Sequence, residues 1–373
     1  MTPDPHQFCR LLIRAPNWLG DSVLALPAVD ALRHALPEAH IAVMARQAVA
    51  DLWRMAPVDQ VIPFNFRRGF AGLSDRMAYA RMLRGEGFDS ALIMPNSFDS
   101  ALVPMLAGIP ERVGWATDCR FLLLTRRIRR PAHLDATSQS RVYASLVTQW
   151  LGRHLDVHDD ARLRVPDDAQ RRVCDARTAL PPLVLGINPG ATYGAAKCWL
   201  PERYADVAVR AHEKCSAQIV LFGGPGDAAV CAAVQARIAR HTTTETPWCI
   251  NLAGATTLAE LAAWLQECTC LVTNDTGTMH LAALLGVRTV AIFGSTEPTL
   301  TGPLGSGSVV LRRQVECSPC FLRECPIDFR CMKAVESADV IAAVRSIVGG
   351  TLPGTSDHPS QKAAPAERAD VLK

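Results

Sequence analysis

The sequence predicts an α/β protein of two doubly wound domains, each a parallel sheet with helices on both faces. Short branched apolar segments alternate with longer segments of helical periodicity along most of the chain. A polar, proline-bearing segment over 164–182 separates two series of this alternation, and 373 residues suffice for two such domains. We therefore expect one domain over 1–172 and a second over 173–348. The residues 349–373, rich in Pro, Ser, Ala and charge, are expected to form a disordered tail.

The first half begins with an apolar strand that breaks at Pro16 and Asn17 before a helical segment. Its predicted strands are 8–15, 40–46 and 90–95, and its predicted helices are 22–36, 74–84 and 102–107. In the second half the predicted strands are 182–188, 217–224, 270–275 and 289–294, each ending near Gly, Pro or Asp. The helices between and after them are 201–215, 228–240, 258–267 and 278–285. Ligands are expected at the carboxyl ends of the strands, facing a central cleft between the domains.

Composition excludes several classes of protein. Hydrophobic residues make up 49% and charged residues 20%, which favours a folded chain with a sizeable core. A formal net charge of +3 does not favour nucleic acid as a partner. No apolar run reaches the ~18–20 residues of a membrane span, and the N-terminus lacks the layout of a signal peptide. A cytoplasmic location is therefore expected, with the 13 cysteines mostly reduced.

The first candidate site is PNWLGDSVLALP, residues 16–27, where a strand gives way to a helix. Asp21 stands at the amino end of that helix, where a carboxylate satisfies free N–H groups and meets the positive end of the dipole. An N-cap is one interpretation of Asp21. A general base that takes the proton of an attacking hydroxyl is the other.

The second candidate is NPGATYGAAKCW, residues 188–199, directly after a predicted strand. Its glycines permit tight turns that direct N–H groups at an anion, while Thr192 supplies a hydroxyl and Lys197 a charge. The spacing matches neither the dinucleotide GxGxxG motif nor a Walker loop. A phosphate site and an ordinary strand-to-helix turn with a solvated lysine both remain open.

The third candidate is TNDTGTMHLAALLG, residues 273–286, at another strand end and helix start. Asp275, Thr276, Thr278 and His280 surround Gly277 there. Free N–H groups and the helix dipole make such a position suitable for a pyrophosphate. For His280 alone, a place on the helix face is the simpler interpretation.

In this order the three segments resemble the ADP-heptose:lipopolysaccharide heptosyltransferases of glycosyltransferase family 9, especially members that add the second inner-core heptose. MPNSFDSAL, AGIPERVGW, LFGGPGD, NLAGATTLAELAAWL and VRTVAIFGSTEP extend the resemblance over residues 10–345. It implies a GT-B arrangement of two Rossmann-like domains, the first binding the acceptor and the second the nucleotide sugar. It also implies an inverting, metal-independent transfer of L-glycero-D-manno-heptose from ADP-heptose to heptosyl-Kdo2-lipid A, with no cofactor required.

The resemblance also implies roles for individual residues. Asp21 matches the catalytic base and Lys197 the lysine that contacts the donor phosphate. The donor-binding helix start is matched by Asp275, Thr276, Gly277 and His280. Asp227, after LFGG, stands near an acidic ribose contact, and Cys198 departs from the pattern because a basic residue is expected there. A transferase that uses another nucleotide sugar or adds the first heptose is the alternative.

A basic stretch in the first half is a candidate surface for an anionic lipid acceptor. It contains Arg112, Arg120, Arg126, Arg127, Arg129 and Arg130, and Arg67 and Arg68 lie in another loop of the same half. Guanidinium groups suit phosphate and carboxylate oxygens, and such a group also suits peripheral docking on the cytoplasmic face of an inner membrane. A solvated face is the alternative for any single arginine.

Four cysteines near the carboxyl end, Cys317, Cys320, Cys325 and Cys331, have the spacing C-x2-C-x4-C-x5-C. Tetrahedral thiolate coordination of a structural metal fits this spacing, although the paired C-x2-C halves of a zinc ribbon are absent. Reduced packing thiols or an oxidised pair are the other interpretations. A metal- or redox-binding protein on a nucleotide-binding scaffold is therefore a second class of function.

Overall fold

Twelve strands form two six-stranded sheets in the residues that the computed structural model describes, 9–67, 69–159, 161, 163–178, 180–241 and 248–349. Except for Gly349, the expected tail over 349–373 lies outside these residues, as does Arg68. None of the helices within the described ranges combines the length and the apolar character needed to cross a membrane.

The helices and strands alternate as the sequence predicts, and the structure adds both strands and helices that were not predicted. The first half comprises β1 Arg10–Arg14, α1 Leu19–Ala35, β2 His40–Arg46, α2 Ala50–Arg54, β3 Gln60–Phe64, α3 Gly69–Glu86, β4 Ser90–Ile93, α4 Phe98–Leu106, β5 Glu111–Trp115, β6 Arg126–Ile128 and α5 Gln139–Leu151. The second half comprises α6 Asp167–Thr178, β7 Val184–Asn188, α7 Pro201–Cys215, β8 Gln218–Leu221, α8 Ala228–Arg240, β9 Cys249–Asn251, α9 Leu258–Gln266, β10 Cys270–Asn274, α10 Gly277–Leu284, β11 Thr289–Phe293, α11 Pro298–Thr301, β12 Ser308–Arg312, α12 Arg330–Lys333 and α13 Ser337–Val348.

Both sheets are parallel throughout and share one topology. Their strand orders are β3-β2-β1-β4-β5-β6 and β9-β8-β7-β10-β11-β12. Each order reverses once, between β1 and β4 in the first sheet and between β7 and β10 in the second. Ligand crevices in such folds open at this reversal, beyond the carboxyl ends of the strands. The segments after β1, β7 and β10 are the three candidate motifs, so the topology places all three at crevices.

The central strands are apolar because helices cover both faces of each sheet. Leu11, Leu12 and Ile13 of β1 are fully buried, as are Leu185 and Ile187 of β7. One apolar cluster continues from the first half into the second, with Trp53 on one side and Trp264 and Leu281 on the other. The two halves are therefore joined by a shared core and not only by the connecting chain.

The expected boundary at 172/173 falls inside α6, which packs with the second half. Arg172 donates to Glu260 of α9 at 2.9 Å, and Arg177 forms an ion pair with Glu267 at 3.7 Å. The backbone N–H of Arg164 still donates to Met55 of the first half. We propose that the boundary lies between Arg164 and the start of α6.

Candidate active site

Asp21 lies in the first turn of α1 but is not its N-cap residue. The helix begins at Leu19, and Trp18 occupies the N-cap position without a side-chain hydrogen bond. Asp21 is therefore the third residue of the helix, and the N-cap interpretation is wrong for it. Its carboxylate still lies near the positive end of the helix dipole.

The start of α1 meets the start of α10 across the cleft between the halves. A Cβ atom on Gly277 would lie 2.7 Å from the Cβ of Leu19, well inside ordinary contact distance. On Gly20 a Cβ would lie 3.2 Å from Cδ2 of His280. The close approach of the two helices depends on Gly277, and it brings the first and third motifs together.

A buried ion pair lies at the start of α10. The Nζ atom of Lys197 is 2.6 Å from Oδ2 of Asp275, and the two side chains are only 12% and 4% exposed. The same oxygen accepts hydrogen bonds from the hydroxyls of Thr296 at 2.7 Å and Thr301 at 3.1 Å. Asp275 thus holds the ammonium group of Lys197 at the helix start, where an anion would meet it.

Asn274 positions the loop that carries Lys197. Its Nδ2 atom donates to the carbonyls of Pro189 at 2.8 Å and Gly190 at 3.2 Å. Its Oδ1 atom accepts from the backbone N–H of Trp199 at 2.9 Å and from the hydroxyl of Tyr204 at 2.7 Å. Both ends of the loop are therefore fixed to the end of β10. Sequence reasoning missed this role, although a buried asparagine that ends an apolar strand was a usable signal.

His280 is buried on α10, and its Nε2 atom lies 3.9 Å from Oδ1 of Asp275. Burial lowers its pKa to about 4, with the charge of Asp275 opposing the shift and that of Lys197 adding to it. The imidazole is therefore neutral near pH 7. Its Nδ1 atom has no hydrogen-bond partner among the described residues.

The pKa of the Asp21 carboxyl group is raised in the structure. Burial raises the pKa of its carboxyl group, the nearby charge of Asp275 raises it further, and Lys197 opposes both. Tyr143 of α5 lies near enough that the charge of Asp21 adds to the effect of burial in raising the tyrosine pKa. Sequence reasoning missed Tyr143 together with its helix. A carboxylate with a raised pKa takes a proton more readily at neutral pH.

The remaining predicted donor residues are distributed around this centre. Thr276 is the N-cap residue of α10, accepting from the N–H of Met279 at 3.4 Å, and Thr278 is buried in the first turn of that helix. Thr192 is exposed in the loop after β7. Asp227 accepts from the N–H of Gly224 at 2.9 Å and lies against Gly190 of the same loop.

Among the arginines of the basic stretch, the structure corrects the interpretation of Arg120. Its side chain is fully buried and donates to the carbonyl oxygens of Trp115 and Pro95. Burial also lowers its pKa to about 10. Arg120 therefore stabilises the first half from inside and does not contribute to a surface for an acceptor.

The other arginines divide into those with a hydrogen-bond or ion-pair partner and those without a carboxylate partner. Arg112 donates to two backbone carbonyls, and Arg126 forms an ion pair with Glu111 at 3.3 Å. Arg130 pairs with Asp135, and Arg67 with Asp75. Arg127 and Arg129 are exposed, and in the part of the chain that the structure describes neither has a carboxylate partner. The expected patch thus reduces to these two residues.

The four clustered cysteines do not form a metal site in the structure. Within the described ranges, no group of three or more His, Cys, Asp or Glu side chains is arranged to hold a metal ion, and every cysteine is a free thiol. Cys331 is buried against Gly294, and the Sγ atom of Cys325 accepts from the N–H of Phe329 at 3.4 Å. In this arrangement Cys331 packs and Cys325 accepts a backbone hydrogen bond, and the described residues do not support the interpretation of the four cysteines as metal ligands.

Comparison with known proteins identifies the family. The model of glycosyltransferase family 9 (heptosyltransferase) matches residues 76–329. The chain belongs to glycosyltransferase family 9. The family match covers Lys197 and Asp275, while Asp21 precedes it.

Similar family 9 members include lipopolysaccharide heptosyltransferase 2 of Escherichia coli (strain K12), which is 32% identical over 81% of this chain and 88% of that protein. Lipopolysaccharide heptosyltransferase 1 of Pseudomonas aeruginosa is 25% identical over 85% of this chain and 87% of that protein. The solved structure of E. coli ADP-heptose lps heptosyltransferase II superposes with a TM-score of 0.77 at 29% identity, covering 92% of this chain and 99% of that one. The two-domain GT-B fold predicted from sequence is confirmed.

Proposed function

We propose that the protein transfers L-glycero-D-manno-heptose from ADP-heptose to heptosyl-Kdo2-lipid A, with inversion, in lipopolysaccharide core synthesis. One observation carries this proposal: Asp21 of the first half lies within electrostatic reach of Lys197 and Asp275 of the second half. A base and an anion site from different halves are what a transfer between two substrates requires. Similarity to proteins named heptosyltransferase 2 favours the second heptose over the first.

The donor binds at the second half, which supplies the positive charge. The diphosphate of ADP-heptose meets the ammonium of Lys197 and the free N–H groups in the first turn of α10. As the bond to the anomeric carbon breaks, ADP leaves with the bonding electron pair and gains negative charge. Lys197 and the start of α10 stabilise this charge in the transition state more than they stabilise the bound donor before reaction, which lowers the barrier.

The acceptor binds at the first half, where Asp21 provides the base. Its carboxylate takes the proton of the attacking hydroxyl as the oxygen bonds to the anomeric carbon on the face opposite ADP. This geometry inverts the configuration at that carbon. The raised pKa of Asp21 makes it a better proton acceptor than an exposed carboxylate.

Arg127 and Arg129 are the exposed arginines of the predicted basic stretch, and they suit an anionic acceptor. Phosphate and carboxylate groups of a lipid A core are bound well by guanidinium groups. The same two residues suit attraction to the anionic cytoplasmic leaflet of an inner membrane. We assign acceptor binding and peripheral membrane contact to this half and donor binding to the other.

The direct test is transfer measured by mass spectrometry. The purified chain is incubated with ADP-heptose and either Kdo2-lipid A or its mono-heptosylated form, and then with competing nucleotide sugars. Transfer of one heptose to the mono-heptosylated acceptor is the expected result. Transfer only to the heptose-free acceptor would assign the first heptose instead, and preference for another nucleotide sugar would overturn the donor assignment.

A further inference from the structure

We propose that Arg323, in the cysteine-rich segment 317–331, binds the diphosphate of the nucleotide sugar as a second cation beside Lys197. This inference rests on the proposed function and deepens it, since it adds a residue to the donor site. The donor loop, residues 188–199, contains no second basic residue, because Cys198 stands where a basic neighbour of Lys197 is expected.

The cysteine-rich segment is fastened to the edge of the second sheet where the donor site lies. The backbone N–H groups of Cys320 and Phe321 donate to the carbonyl of Ser295 at 3.1 and 2.8 Å. The hydroxyl of Ser318 donates to the carbonyl of Gly294 at 2.6 Å. Thr296, the next residue along, donates to Asp275. The segment is therefore attached at Gly294 and Ser295, directly before the threonine that donates to the buried ion pair.

The same segment contacts the loop that carries Lys197. The N–H of Ala196 donates to the carbonyl of Arg323 at 2.9 Å. A Cβ atom on Gly194 would lie 2.4 Å from that carbonyl oxygen, so the two backbones touch only because residue 194 is glycine. The carbonyl oxygen of Arg323 is thus held against the donor loop by a hydrogen bond and by a close backbone contact.

Tyr193 places the guanidinium of Arg323 and the ammonium of Lys197 beside one aromatic ring. The Nζ atom of Lys197 lies 4.9 Å from the ring centroid, and Cζ of Arg323 lies 5.2 Å from it. The tyrosine hydroxyl donates to the carbonyl of Phe321 at 2.8 Å, which ties the ring to the cysteine-rich segment. Cation–π contact at these distances restrains both side chains near the donor loop.

Lys197 and Arg323 differ in whether a carboxylate already neutralises their charge. Lys197 is paired with Asp275 in a buried contact. Arg323 is exposed, and no carboxylate within the described part of the chain forms an ion pair with it. A diphosphate carries more than one negative charge, so a single lysine shared with an aspartate leaves it incompletely neutralised. A forked guanidinium at the edge of the same loop supplies two further donors for its oxygens.

The test compares Arg323→Ala with Arg330→Ala, measuring ADP affinity by titration calorimetry on the full chain. Arg330 is a matched control because it lies in the same segment and its guanidinium pairs with Asp328 at 3.0 Å. We expect Arg323→Ala to weaken ADP binding about tenfold, which corresponds to about 1.4 kcal/mol, and Arg330→Ala to leave it unchanged. Arg323→Lys should recover part of the loss, and adenosine, which has no phosphate, should bind all variants equally.

Several outcomes overturn the inference. Equal ADP affinity of Arg323→Ala and the wild-type chain does so, and so does an equal loss in Arg330→Ala. A higher KM for the lipid acceptor with unchanged ADP affinity would assign Arg323 to the acceptor instead. Circular dichroism controls for folding, which the exposed side chain of Arg323 should not affect. If the wild-type chain binds ADP without transferring heptose, the proposed function fails while the assignment of Arg323 stands on the ADP data.

Discussion

Replacing Gly277 with alanine should separate the two halves of the active site. The added Cβ would lie 2.7 Å from both Cβ and Cγ of Leu19 and 2.9 Å from Cδ2. Ordinary contact between carbon atoms is about 3.5–4.0 Å, so α1 and α10 would have to move apart by about 1 Å. Neither helix start has room to rotate away, because Gly20 is packed on His280 at the same crossing.

The magnitude follows from two separate costs. Overpacking of a tight contact destabilises a fold by about 1–3 kcal/mol. Displacement of a catalytic group by about 1 Å costs roughly a hundredfold in rate, because Asp21 moves with α1 away from the donor site. We therefore expect Gly277→Ala to lower kcat about a hundredfold and to lower the free energy of unfolding moderately.

The assay pairs steady-state kinetics with thermal unfolding, and Gly85→Ala serves as the control. Gly85 lies in α3 with no atom within 4 Å of its Cβ position, so an added methyl group meets nothing there. That variant should keep full activity and gain slightly in stability, as alanine favours the helix. Combining Leu19→Gly with Gly277→Ala removes the clashing side chain and should restore part of the activity. Wild-type kcat in Gly277→Ala, with a normal unfolding temperature, would refute the reasoning.

Three further predictions follow from the same geometry. Asp21→Asn should lower turnover by about 10²–10⁴-fold while ADP still binds, and the wild-type rate should fall as pH drops through the raised pKa of Asp21. Asn274→Ala should weaken ADP affinity and destabilise the fold by more than about 2 kcal/mol, because four buried groups lose their hydrogen-bond partner. The control Asn251→Ala, in the edge strand β9, should leave ADP affinity unchanged. Arg120→Ala should lower the unfolding temperature through loss of about 3 kcal/mol, while Arg127→Ala should keep the fold and raise the KM for the acceptor.

Each of these predictions has an outcome that contradicts it. Full turnover in Asp21→Asn would remove the residue from the chemistry. Unchanged ADP affinity in Asn274→Ala would mean that the donor loop holds its shape without the amide. If Arg120→Ala unfolds at the wild-type temperature, or Arg127→Ala binds acceptor normally, the division between buried and surface arginines is wrong for that residue.

Elements with strong local signals were predicted almost to the residue. The helices Pro201–Cys215 and Ala228–Arg240 have the predicted bounds, since amphipathic periodicity alone determines them. The strands Gln60–Phe64 and Arg126–Ile128 were missed. Pro63 interrupts the first, and arginines make up most of the second. Both form sheet edges, where the surroundings, and not the intrinsic preference of the residues, allow such sequences to pair.

The candidate site was predicted as separate pieces, and only the fold could join them. Asp21, Lys197 and Asp275 each follow a strand that borders a sheet reversal, so sequence placed each at a crevice. The distance between halves depends on the crossing of α1 and α10, which no spacing in the sequence encodes. For Arg120 the sequence context gave a wrong prediction. Its position among arginines indicated a surface, whereas the carbonyls that bind it become available only in the folded sheet.

The strength of Asp21 as a base depends on contact between the two halves. Burial is the largest cause of its raised pKa, and the charges of Asp275 and Lys197 belong to the half that does not contain it. If the halves separated to admit substrates, water would reach the carboxylate and the effect of burial, the largest cause of the raised pKa, would be lost. The smaller and opposing effects of Lys197 and Asp275 would weaken together, so the pKa would return toward its ordinary value. The carboxylate would then be a weaker proton acceptor in the open form. Proton transfer is thereby favoured only when the donor site faces the acceptor, and this arrangement protects the donor from hydrolysis by water in an open cleft.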